Sequence, residues 1–101
     1  MSRHRYDGKR LFPTGFNKRY PFGLAAFEVQ GNAVFASPGN PIFALTPGTP
    51  VYEIVGDELV ATVYNRLDQP VLASYCIRGI EVIPTMHHRF EAPAIPAFEL
   101  V

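Results

Sequence analysis

The sequence predicts an all-β domain, a small antiparallel sandwich or barrel of about seven short strands. Three observations carry this. Apolar runs of four to seven residues recur between turn signals, ten Pro and eight Gly lie mostly between those runs, and no stretch keeps a helical period. At 101 residues with 48% hydrophobic content, the chain has material for one domain.

The elements read in order. Phe27–Gln30 and Ala33–Ala36 flank Gly31-Asn32, a two-residue hairpin signal. Ser37-Pro38-Gly39-Asn40-Pro41 is a turn cluster, Ile42–Leu45 a short apolar run, and Thr46-Pro47-Gly48-Thr49-Pro50 a second Pro-Gly turn. Val51–Val55 and Glu58–Tyr64 flank Gly56-Asp57, where Gly in first position suits a type II′ turn. That register sets Ile54 opposite Leu59 and Tyr52 opposite Ala61 on a core face shared with Val63. Val55 opposite Glu58, Glu53 opposite Val60 and Val51 opposite Thr62 make the other face. Pro70 closes a polar connection, Val71–Ile77 is the next strand, and Gly79 separates it from Ile80–Ile83. Pro41, Pro50 and Pro70 stand at strand starts, where a missing N–H is tolerated. No internal repeat is legible.

Charge divides the chain into an expected arm (1–22), β body (23–84) and extended Pro-containing strap (85–101). Residues 1–22 hold Arg3, Arg5, Lys9, Arg10, Lys18 and Arg19 against Asp7, a net +5. Residues 23–101 hold three bases against eight acids, a net −5. Tyr6, Phe12, Phe16, Tyr20 and Phe22 interleave with the arm's bases. A disordered tail has little use for so many aromatics, whereas a basic aromatic arm laid on an acidic body gains charge complementarity and apolar anchors. The body carries few charges for its size, as a surface covered by a partner does.

The residues expected to bind a partner are therefore Arg3, Arg5, Tyr6, Lys9, Arg10, Phe12, Phe16, Lys18, Arg19 and Tyr20. The expected function is non-enzymatic assembly through arm and strap, as in a capsid-associated cement, decoration or minor structural protein of a virion. Removing residues 1–22 is expected to abolish assembly and leave a folded body. The alternatives are a nucleic-acid-binding module using the same arm, and an accessory subunit of a hetero-oligomer. An acidic body repels the phosphates the arm attracts, which weighs against nucleic acid.

Catalytic residues, metal and cofactor are expected to be none. Cys76 is alone among apolar residues and reads as a small hydrophobe. Met86-His87-His88 invites a metal, but neighbours in an extended chain point to opposite sides. Asp57-Glu58 sits at a hairpin tip with no desolvated partner in view. No small-molecule substrate or membrane partner is implied, since no apolar run approaches the ~20 residues of a membrane helix. Location in a virion or the cytoplasm is expected, because residues 1–22 lack a signal peptide's apolar region.

Overall fold

The computed structural model describes residues 5–17, 20, 22–38, 40–41, 48–65, 70–86 and 95–101. The chain is all-β, and eight antiparallel strands close into a barrel in sequence order. They are β1 (Arg10–Pro13), β2 (Phe27–Gln30), β3 (Ala33–Ala36), β4 (Pro50–Val55), β5 (Glu58–Ala61), β6 (Ala73–Arg78), β7 (Glu81–Pro84) and β8 (Phe98–Leu100). Eight strands enclose an interior just wide enough for side chains to fill.

Local turn chemistry explains three of the four hairpins. Gly31, Gly56 and Gly79 open the two-residue turns of β2–β3, β4–β5 and β6–β7 with φ of +65°, +63° and +64°. The residues that follow them keep negative φ, which makes these type II′ turns and matches the twist of the flanking strands. The fourth hairpin is split. β8 and β1 pair with each other, and Arg10 and Val101 bond backbone to backbone where a turn would otherwise join them.

The four hairpins are structurally equivalent, so the barrel has a four-fold internal repeat that the sequence reading missed. Aromatics at 27, 52, 75 and 98 face Ala36, Ala61, Pro84 and Pro13 across the ladder. Two residues on, Val29, Ile54, Ile77 and Leu100 face Val34, Leu59, Val82 and Leu11. The first set forms a closed ring of four aromatics. Phe27–Tyr52, Tyr52–Tyr75, Tyr75–Phe98 and Phe98–Phe27 meet edge to face at centroid distances of 5.6–5.7 Å. Edge-to-face contact sets each ring's positive rim on its neighbour's negative face. The second set makes an aliphatic layer beside the ring. Register shifts fall at equivalent places, Val34/Phe35 and Leu59/Val60, and such bulges bend strands toward closure.

Three of the hairpins, β8–β1, β2–β3 and β4–β5, end in an equivalent turn. The Asn17, Asn40 and Asn65 backbone amides donate to the carbonyls of Thr14, Ser37 and Thr62. The same asparagines' Nδ2 atoms donate to the carbonyls of Ala97, Ala26 and Val51 at 2.7–3.1 Å. Thr14, Thr62 and Thr85 hydroxyls donate to the carbonyls of Pro96, Pro50 and Ala73. These bonds fold the turn back onto the start of the hairpin, the asparagines adding a second donor to carbonyls that already accept the Thr14, Ser37 and Thr62 amides.

Several expectations change. β1 and β8 come from the stretches read as arm and strap, and β1 supplies buried Leu11 and Pro13. Removing residues 1–22 would thus open the barrel rather than spare a folded body. β5 stops at Ala61 because Thr62 enters its turn, which leaves Val63 77% exposed instead of in the core. Val51, expected on the outer face, is fully buried where the 62–65 turn bonds back over it. Val71 and Leu72 precede β6, and Ile80 is the second residue of its turn rather than a strand residue. The run Ile42–Leu45 lies outside the described residues.

Candidate functional site

Residues 5–9 form the part of the arm that reaches the tips of the hairpins. The Gly8 amide donates to the Val29 carbonyl at 3.0 Å and the Val29 amide to the Lys9 carbonyl at 2.8 Å, extending the pairing of β1 with β2. Residues 5–8 then turn back on themselves, with the Lys9 amide donating to the Tyr6 carbonyl. The Asp7 carboxylate accepts the Gly31 amide at 2.7 Å, at the β2–β3 tip.

Arg5 and Tyr6 converge on Asp57, at the β4–β5 tip. The Tyr6 hydroxyl donates to Asp57 Oδ1 at 2.6 Å, and Arg5 makes a hydrogen-bonded ion pair with the same oxygen. The Arg5 guanidinium lies 4.9 Å from the Tyr6 ring centre, and the ring packs against the core. The Tyr6 hydrogen bond, helped by Arg5, holds the Asp57 carboxyl below its ordinary value. Partial burial, with the bond to Asp57, pushes the Tyr6 phenol above its own. The arm thereby bridges two hairpin tips of its own barrel.

The ten residues expected to bind a partner do not form one surface. Arg5, Tyr6, Lys9 and Arg10 lie at the tip end. Phe12 is half-buried on the outer wall, with the Arg10 guanidinium 5.7 Å from its ring centre. Phe16 is exposed at the opposite end, where the connections between hairpins run. Tyr20, expected as an anchor for a partner, instead belongs to the core, its ring 5.5 Å from Phe27 and 5.4 Å from Phe98. Arg3, Lys18 and Arg19 lie outside the described residues.

Cys76 is half-buried on the outer wall, between Glu58 of β5 and Ile83 of β7. Met86 is exposed, and His87 and His88 lie outside the described residues. Asp57, read as a solvent residue, accepts from two arm side chains. Among the described residues no three His, Cys, Asp or Glu side chains gather where they could hold a metal, and no helix is long and apolar enough to cross a membrane.

Sequence reasoning missed the connection end of the barrel. Its signals were present, as the Thr/Ser-x-x-Asn that follows three of the four hairpins and the aromatic that opens each. The barrel's interior is filled by side chains, so what it offers another molecule is its two ends and its wall. Comparison with known protein families, curated proteins and solved structures returns no match for this closed barrel.

Proposed function

We propose that this chain is a non-enzymatic assembly protein whose N-terminal segment joins it to copies of itself or to other structural proteins of a large particle, such as a virion. The observation that carries the reading is the convergence of Arg5 and Tyr6 on Asp57. A cation, an aromatic ring and a carboxylate meet there, the complementarity expected between basic arm and acidic body. β1 is held by backbone pairing with β2 and β8, and the same pairings are available to a β1 inserted from a neighbouring copy. Arg5 directs its charge to a carboxylate, and Asp7 sits among the arm's bases, which favours a protein contact over a phosphate one.

The test uses the backbone-bonded pair Arg10 and Val101, both exposed. Such a pair has Cα atoms about 5.5 Å apart, within disulfide reach. In a Cys76→Ser background, Arg10→Cys with Val101→Cys is expected to yield covalent oligomers on oxidation at high protein concentration. Oxidation to intrachain monomers alone at every concentration overturns arm exchange.

A further inference from the structure

At the tip end of the barrel, three strand pairs are joined covalently and one is not. Two-residue turns opened by Gly31, Gly56 and Gly79 join β2 to β3, β4 to β5 and β6 to β7. No turn joins β8 to β1, so at this end β1 leads instead into residues 5–9. Gly8 and Lys9 bond to Val29 through the backbone, and beyond them the segment is fixed by side chains. Asp7 accepts the Gly31 amide at 2.7 Å, the Tyr6 hydroxyl donates to Asp57 Oδ1 at 2.6 Å, and Arg5 pairs with that same oxygen. A non-covalent clasp thus stands where the other tips have a covalent tether.

Withdrawing β1 from the barrel breaks its ladders with β2 and β8, and it also requires the clasp to open. The same bonds re-form when β1 seats in a neighbouring copy. The clasp therefore contributes equally to the closed and the exchanged forms, and it drops out of the equilibrium between them. It is missing only from the state through which the two interconvert. An interaction missing there slows the passage and leaves the end point where it was. Both side chains of the ion pair are well exposed, Arg5 at 64% and Asp57 at 57%, so dissolved ions screen it. The Tyr6 ring packs against the core, which adds a part that salt does not weaken.

We propose that the clasp of Arg5 and Tyr6 on Asp57 is a kinetic gate on arm exchange, slower to open at low ionic strength and faster at high. This rests on the arm exchange proposed above and adds its control. The gate sets how soon copies join, while the ladders of β1 with β2 and β8 set how firmly they stay joined. Its salt-sensitive part is the Arg5–Asp57 ion pair, and its salt-insensitive part is the Tyr6 phenol with its packed ring.

The test follows exchange in time with two full-length proteins in the Cys76→Ser background, one carrying Arg10→Cys and the other Val101→Cys. They are mixed, and short pulses of oxidant at successive times trap a mixed disulfide wherever β1 of the first lies against β8 of the second. Tyrosine near-ultraviolet circular dichroism checks that each variant is folded. Between ~0.01 M and ~1 M sodium chloride the screening length falls from about 30 to about 3 Å, and the rate is expected to rise about two- to fivefold. Arg5→Gln in both proteins should give the faster rate already at low salt and lose most of the salt response. Tyr6→Phe should also be faster but keep that response. Arg78→Gln, at the β6–β7 tip and outside the clasp, should behave as the parent pair. The final yield of mixed disulfide should be the same in all. A rate indifferent to salt and to both clasp variants overturns the gate and leaves arm exchange standing. Variants that change the final yield and not the rate overturn it too. No mixed disulfide in any pair overturns arm exchange itself, and the gate with it.

Discussion

Arg10 and Val101 bond to each other through both backbone groups, at 3.0 and 2.9 Å, and so close the barrel where the chain itself does not. Val55 and Glu58 hold the corresponding places in the hairpin that Gly56-Asp57 completes. The fourth hairpin lacks only its turn. A circular permutant that joins Val101 to Arg10 through Gly-Asp and opens the chain between Gly79 and Ile80 is thus expected to fold cooperatively. Far-ultraviolet circular dichroism and urea unfolding check it, and an unfolded permutant would refute the equivalence of the four hairpins.

The aromatic ring makes Phe98 a keystone. It is fully buried and meets Tyr20, Phe27 and Tyr75 at 5.4–5.6 Å. Phe98→Ala should cost about 3–5 kcal/mol through lost transfer energy and a cavity. Against a total of about 5–15 kcal/mol, that is a large share. Phe16→Ala, at an exposed position, should stay within about 0.5 kcal/mol. Urea midpoints at constant slope distinguish the two.

Asn65 is buried, and its Nδ2 donates to the Val51 carbonyl at 3.1 Å. Asn65→Ala removes that donor and should cost about 1–2 kcal/mol. Asn65→Asp should cost more at neutral pH, because it turns a carboxylate toward a carbonyl in a buried place. The deficit of the Asp variant should shrink in acid as the carboxyl regains a proton to donate. Thermal unfolding at pH 7 and pH 4 checks the sign.

The arm clasp has a pH window. Asp57 sits below its ordinary value of 3.8, so its contribution is present above that value and is lost as pH falls through the lowered one. Tyr6 sits above its ordinary 10.0, so its contribution is present below pH 10 and is lost as pH rises through the raised value. The clasp should hold between these limits and open outside them. Tyr6→Phe and Arg5→Gln should each move the Asp57 midpoint up, as followed by the carboxyl carbon shift in NMR. An Asp57 midpoint unmoved by both substitutions would show that neither residue reaches it.

Much of the fold was legible because its hairpins are local. Gly31-Asn32 and Gly56-Asp57 announce their turns, and alternation fixes the β4–β5 register, so Ile54 opposite Leu59 and Tyr52 opposite Ala61 follow from a few neighbouring residues. The pairing of β1 with β8 was not legible, since its partners lie at opposite ends of the chain and their short runs look like arm and strap. Val71 misled for a different reason. Its β-branched side chain favours a strand, yet its backbone stands at φ +77°, a region such residues rarely enter, and tertiary closure overrides that preference.

The site divides in the same way. The sequence by itself determined the all-β class, the type II′ turn at Gly56 and the sorting of basic and acidic residues along the chain, because composition and nearest-neighbour geometry suffice for these. Tertiary structure alone decided that Tyr20 belongs to the core, that Arg5 and Tyr6 meet Asp57, and that Phe16, Tyr64 and Met86 share one end. Those relations join residues far apart in the chain. Closing eight strands into a ring is what brings them together, and no local pattern encodes that closure.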